Sequence, residues 1–128
     1  MTTALVIDKD SEQAANTAFY LEQEGYQAST LKSGHSALLY CKQHTPDIIL
    51  MAIDSWQDFA LNQLIELKSS RHTKSIPVIV IASCKDPKTI IYTLDLGAHE
   101  CVVENTDPSV LAPRIRSVIN ISSAQRQL

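Results

Sequence analysis

The sequence predicts an α/β domain of five strand–helix units, a three-layer sandwich around a parallel five-stranded sheet. Three observations carry this. Short apolar runs alternate with segments of helical period along the whole chain. The strongest runs are apolar at every position, as in strands covered on both faces. The connections between them are short, so right-handed crossovers must lay helices on both sides of the sheet.

Ala4-Leu5-Val6-Ile7 is the first such run and ends at Asp8. Asp10 or Ser11 can cap the helix that follows, with Ala14, Ala18 and Leu21 on one face and Gly25 as its stop. Residues 26–31 read as a more polar second strand nearer an edge. Residues 34–44 read as a short helix turning Ala37, Leu38 and Cys41 inward. After Pro46, residues 48–53 form the most apolar strand, hence a central one. Residues 57–70 return to helical period through Ala60, Leu61, Leu64 and Leu67 or Lys68. Pro77 opens the fourth strand, residues 78–81. Asp86 and Pro87 have the form of an N-cap and first helical residue, with Ile90, Ile91 and Leu94 expected inward until Gly97. Cys101-Val102-Val103 is the fifth strand. Asp107-Pro108 starts a last helix that buries Leu111, Ile115, Val118 and Ile119, and Pro113 is expected to kink or loosen its first turns. The domain is expected to occupy residues 1–121, with 122–128 a frayed tail or the start of a linker.

Composition excludes several classes of function. At 128 residues the chain is one domain that buries roughly two thirds of its unfolded surface. A net charge of −3 leaves no broad basic surface, so direct nucleic-acid binding is not expected. No apolar run approaches the ~18 residues of a membrane span and no signal pattern opens the chain, which reads as cytoplasmic with no membrane partner. Cys41, Cys84 and Cys101 are widely spaced and form neither a metal motif nor a disulfide framework. His35, His44, His72 and His99 are scattered singly and read as surface or loop residues.

In a doubly wound sheet, chemistry sits at the carboxyl ends of the strands. The residues there are Asp8-Lys9-Asp10, Ala52-Ile53-Asp54, Ser83-Cys84 and Glu104-Asn105. The same stretches carry a resemblance. Ala4-Leu5-Val6-Ile7-Asp8-Lys9-Asp10, Glu24-Gly25-Tyr26, Pro46-Asp47-Ile48-Ile49-Leu50-Met51, Pro77-Val78-Ile79-Val80-Ile81 and Leu96-Gly97-Ala98 occur in the order and spacing of response-regulator receiver domains. Over about residues 3–120 the chain resembles that family, whose fold is flavodoxin-like, or CheY-like, which implies the strand order 2-1-3-4-5.

The resemblance implies a phosphorylation site, and this sequence departs from it. In the family, acids hold magnesium, an aspartate attacks phosphorus, and a hydroxyl and a lysine grip the phosphoryl oxygens. Of those positions Asp8 stands. Lys9 replaces the second acid of the pair, although Asp10 follows it. Ala52 replaces the phospho-accepting aspartate, Ala82 the hydroxyl (with Ser83 next to it), Glu104 the lysine, Asn105 the following proline and Cys101 the switch aromatic. The resemblance therefore implies a degenerate pseudo-receiver with no cofactor, no catalytic residue and at most weak metal ligation by Asp8 and Asp10. Glu104-Asn105 is expected to be a trans peptide, because a cis bond without proline costs about 2.5–4 kcal/mol. Lys9 and Glu104 read as a charge-swapped pair, and Lys9 is expected within ion-pair reach of Asp8, Asp54 or Glu104.

Three functions follow as expectations. The first is a phosphorylation-independent signalling module that is not an enzyme. It would act on a protein partner or output domain, or as a homodimer, through the family's helix-four, strand-five and helix-five face: Ile91, Tyr92, Asp95, His99, Glu100, Cys101, Arg114 and Ser117. The second is a phosphoryl-accepting receiver that uses Asp54, on the same strand face as Ala52 but ~6.5 Å further along. The third, flavodoxin-like mononucleotide binding, is disfavoured by the three carboxylates of Asp8-Lys9-Asp10-Ser11-Glu12, where a phosphate needs free backbone donors.

Overall fold

The structure, a computed structural model, describes residues 1–126. Its elements alternate as β1 (Thr3–Ile7), α1 (Ser11–Gln23), β2 (Gln27–Leu31), α2 (Gly34–Tyr40), β3 (Ile48–Ile53), α3 (Ala60–Ser69), β4 (Val78–Ala82), α4 (Pro87–Asp95), β5 (Glu100–Val103) and α5 (Pro108–Arg126). All pairings are parallel and the strand order is β2-β1-β3-β4-β5, as the resemblance implies.

Period two sorts the strand side chains onto two cores. Leu5, Ile7, Ile49, Met51, Val78 and Val80 pack with Ala37, Leu64 and Leu67 of α2 and α3. Ala4, Val6, Ile48, Leu50, Ile79 and Val102 pack on the other side with Ala14 and Leu21 of α1 and Ile115 and Val118 of α5. Helix termini follow local chemistry. Asp10 Oδ1 accepts from the Glu12 and Gln13 amides at 3.0 and 3.1 Å, and Asp86 Oδ1 from the Lys88 amide at 3.0 Å. Gly25 and Gly97, with φ of +93° and +112°, close α1 and α4 in a conformation that only glycine adopts without strain.

Three expectations need correction. α2 ends at Tyr40 and α3 begins at Ala60, each shorter than its periodic pattern. α4 is rotated: Ile91 and Leu94, expected inward, are 53% and 42% exposed, whereas Thr89 and Thr93 are fully buried. Thr93 Oγ1 donates to the Thr89 carbonyl at 2.8 Å, so a threonine face buries with its hydroxyls satisfied. Pro113 sits exposed inside α5, which is helical on both sides of it. Its missing donor faces the side where water can serve the freed carbonyl. Finally, α5 runs on to Arg126 and buries Ser122, so 122 is not where order ends. Positions 127 and 128 of the expected tail lie outside the described residues.

Candidate functional site

Strand parity brings Asp8, Ala52, Asp54, Ser83 and Glu104 to the carboxyl edge on the α1/α5 side of the sheet. Asp8, one residue past β1, is 7% exposed. Its Oδ1 accepts from the Asp10 amide at 2.9 Å. Burial raises the carboxyl above its ordinary pKa, and the negative charges of Asp10, Glu104 and Asp54 add to that, against the Asp10 amide bond.

Lys9 Nζ lies 2.6 Å from Asp54 Oδ2, while Asp54 Oδ1 accepts from Ser83 Oγ at 3.2 Å. The Lys9 bond holds Asp54 below the usual carboxylate range against the desolvation that opposes it, with the Ser83 bond and the Lys9 charge adding to the depression. The Asp54 amide in turn donates to Asp58 Oδ2 at 2.9 Å.

The charge-swapped pairing of Lys9 with Glu104 does not form. β1 neighbours β3, whereas β3 and β4 stand between it and β5, so Lys9 is three strand spacings, roughly 14 Å, from β5. Glu104 Oε1 instead accepts from Gln13 Nε2 of α1 at 2.6 Å. The Glu104–Asn105 peptide is trans, as expected, and Asn105 turns the chain with φ of +67°, a region that asparagine tolerates. Ala52 is half-buried, and Ala82 is fully buried.

These residues rim an open cleft of about 480 Å³. Its floor is Val6, Leu50, Ala52, Ile81 and Val102, and Gln13, Asn16, Thr17 and Tyr20 of α1 face Pro108 and Leu111 of α5 across it. Tyr20 ties the two helices by donating to the Pro108 carbonyl at 3.1 Å.

The magnesium implied by the receiver resemblance does not fit these residues. Asp10 is turned to capping α1, Ala52 has no donor, and the Lys9 ammonium stands among the remaining acids. Among the described residues, no three carboxylate, imidazole or thiolate groups converge to hold a metal ion.

On the opposite flank, Ile91, Tyr92, Asp95, His99, Arg114 and Ser117 are exposed, and Glu100 and Cys101 are half-buried. Arg114 Nη1 reaches Glu100 Oε1 at 3.8 Å, joining α5 to β5. Desolvation, with the Lys68 charge, lowers the His99 pKa, and burial raises that of the Cys101 thiol.

Sequence reasoning did not single out Gln13, Asp58, Trp56 or Thr89. Gln13 was findable, since it lies one turn into the helix that Asp10 caps. Trp56 was not. Its amide donates to Thr89 Oγ1 at 3.0 Å, its ring meets Tyr92 at 5.5 Å between centroids, and Lys88 Nζ lies 5.3 Å above it. These contacts dock the β3–α3 loop on α4.

The family model for the response regulator receiver domain matches residues 4–116. The sensory transduction protein RegX3 of Mycolicibacterium smegmatis is 28% identical over 119 residues, 93% of this chain and 51% of that protein. The transcriptional regulatory protein KdpE of Mycobacterium tuberculosis is 27% identical over 128 residues, 100% of this chain and 55% of that protein. The CAI-1 autoinducer sensor kinase/phosphatase CqsS of Vibrio cholerae is 28% identical over 112 residues, 87% of this chain and 16% of that protein. The chain thus spans about half, or less, of these relatives. The crystal structure of a CheY-like receiver domain protein from Methanospirillum hungatei superposes with a TM-score of 0.84 at 17% identity, covering 98% of both chains. With strand order, burial pattern and sequence match in agreement over nearly its whole length, the chain belongs to the response regulator receiver domain family.

Proposed function

We propose that this receiver signals without being phosphorylated, as a pseudo-receiver that is not an enzyme and that acts by protein contact. The observation that carries this reading is Ala52 at the end of β3, with the Lys9 ammonium paired to Asp54 beside it. A methyl group cannot form an acyl phosphate, and the ammonium stands where metal charge is needed.

The contact surface in this reading is the exposed flank of α4, β5 and α5, with Ile91 and Tyr92 as apolar anchors and the Glu100–Arg114 pair beside them. Its counterpart is an output domain, a separate protein or a second copy, in the cytoplasm, with no direct nucleic-acid or membrane contact. Relatives named as transcriptional and sensory transduction proteins fit that role. Among the described residues no helix is long and apolar enough to cross a membrane.

A second reading has its own observation. Asp54 is gripped by a lysine and a hydroxyl, Lys9 and Ser83, the kinds of group that hold a phosphoryl oxygen. Against it, Asp54 lies beyond the end of β3 with its side chain 58% exposed, where water reaches any acyl phosphate formed. Incubation with Mg²⁺ and acetyl phosphate followed by intact mass separates the two. No added phosphoryl group is expected. An adduct lost in Asp54→Asn would establish the second reading.

A further inference from the structure

We propose that the amino edge of the sheet, where the loops enter β3, β4 and β5, docks a short acidic segment of a partner protein. This goes beyond the reading above. It is a second contact surface, at the end of the strands away from Ala52, and it does not depend on whether the chain is phosphorylated.

The chain is acidic overall, with a net charge of −3, yet its charges are unevenly placed. No acidic residue lies between Glu66 and Asp86, a stretch that carries Lys68, Arg71, His72 and Lys74. α3 ends at Ser69 and β4 begins at Val78, so these four fall at the amino edge. Strand order adds the loops on either side, with Lys42 before β3 and His99 before β5. Two strand spacings, about 10 Å, separate the outer loops, so the groups form one crescent.

The crescent lacks counter-charge. The described residues form two ion pairs, Lys9–Asp54 and Arg114–Glu100, and neither is here. Asp47, the acid of the α2–β3 loop, is committed to the Thr3 amide at 2.8 Å. Nor do these cations cap helix ends, which would take hydrogen bonds to carbonyls. Lys68 Nζ donates to the Ile76 carbonyl at 3.0 Å, but the side chains of Lys42, Arg71 and Lys74 donate to no described carbonyl.

Lys68 is the anchor. Its stem runs along the α4–β5 turn, where Gly97 leaves room for it, since a Cβ there would stand 3.1 Å from Lys68 Cγ. The ammonium is thus kept half-buried. Burial lowers its pKa, and its charge joins desolvation in lowering that of His99. No carboxylate acts on either group, as one would if an anion of this chain served them.

The loop that carries Arg71, His72 and Lys74 is already fixed. Thr73 is fully buried and its Oγ1 donates to the Leu67 carbonyl, while the Lys74 amide donates to the Ser70 carbonyl at 2.8 Å. Docking therefore orders side chains and little backbone.

The occupant follows from charge and span. About three or four extended residues, at about 3.3 Å each, cover the crescent. A second copy is a poor match, because acids of its carboxyl edge are committed: Asp10, Asp58 and Asp86 to backbone amides and Asp54 to Lys9. A nucleic acid needs a longer run of phosphate contacts, and the exposed Glu66 and Asp95 at the flanks repel a continuing backbone. A short acidic peptide segment meets the cations and stops before those flanks.

The probe is an end-blocked penta-glutamate peptide, with penta-glutamine as its uncharged counterpart and oligothymidylate as a nucleic acid. Each is titrated into the ¹⁵N-labelled chain, and the backbone amides report where it binds. Penta-glutamate should give saturable shifts at Lys42, Arg71, His72, Lys74 and His99, and none at Asp8 or Asp54. Penta-glutamine should bind at least about tenfold more weakly, since each exposed charge pairing contributes up to about fivefold. Arg71→Glu combined with Lys74→Glu, both at exposed positions, should weaken the peptide by about tenfold or more. Lys68→Met, which keeps the stem and is checked for folding by circular dichroism, should weaken it about two- to fivefold. Absence of saturation, equal binding by penta-glutamine, shifts centred on Lys9, Lys85 or Lys88 at the other edge, or indifference to the double reversal would each overturn the proposal. So would oligothymidylate binding more tightly than the peptide, or self-association of the free chain that the double reversal abolishes. The acetyl phosphate experiment reads the opposite edge, so the two readings fail separately.

Discussion

Lys9 Nζ and Asp54 Oδ2, 45 residues apart, lie at 2.6 Å and tie the loop after β1 to the loop after β3. Both side chains are largely exposed, at 70% and 58%. A pair this solvated does little for global stability and much for where two loops sit.

Lys9→Ala should therefore leave the melting temperature unchanged within error. It should raise the Asp54 carboxyl toward its ordinary value, because the Lys9 bond is the largest cause of its depression. Carbon-detected titration of Asp54 reads this, and hydrogen exchange should quicken in both loops. An Asp54 titration identical in the variant would show that the pair does not persist in solution.

Asp8 and Asp54 should pull stability in opposite directions with pH. Asp54, depressed in the fold, contributes stability present above the unfolded carboxylate pKa and lost as pH falls through its lower folded value. Asp8, raised in the fold, does the reverse: its ionisation costs stability as pH rises from the unfolded value through the raised one. Asp8→Asn keeps an acceptor for the Asp10 amide and removes the charge. It should be at least as stable as the parent at neutral pH, and the gap should close in acid, where the parent Asp8 is protonated too. Urea melts at both pH values check this.

Gly34→Ala should destabilise by about 1–3 kcal/mol, the usual cost of overpacking. A Cβ at Gly34 would stand 2.6 Å from Gln63 Cβ, where α2 meets α3. Alanine's helix propensity works the other way, but by only about 1 kcal/mol. Because the clash is with Cβ, Gln63→Ala should not relieve it. Denaturant midpoints of the two single variants and the double variant decide.

Thr89→Val should free the β3–α3 loop from α4. It leaves the Trp56 amide without its 3.0 Å acceptor, at a cost of about 1–3 kcal/mol if the amide stays buried. Trp56 is the only tryptophan in the chain, so its fluorescence reports directly. A red shift is expected, and an unchanged spectrum would mean that the ring contact with Tyr92 suffices to hold the loop.

Much of this molecule was legible in the sequence, for a physical reason. Ile48–Ile53 reads as a central strand because six consecutive apolar residues can be covered only inside a two-sided sheet. Asp86, and Asp10 or Ser11, read as caps because capping is decided within three residues, and the fold uses Asp10 and Asp86. The strand-end positions of Asp8, Ala52, Ser83 and Glu104 followed from the same local patterns.

Only the tertiary structure decided the rest. Asp54, not Glu104, became the partner of Lys9 because β1 lies beside β3 and three spacings from β5, a distance set by strand order. α4 turned Thr89 and Thr93 inward against its own apolar pattern, since their hydroxyls are satisfied by the Thr89 carbonyl, Cys84 and the Trp56 amide. α5 continued past Ser122 because that residue is buried against the domain and no longer frays in water. Local chemistry chose the elements, and packing between elements distant in sequence chose which faces and which charges meet.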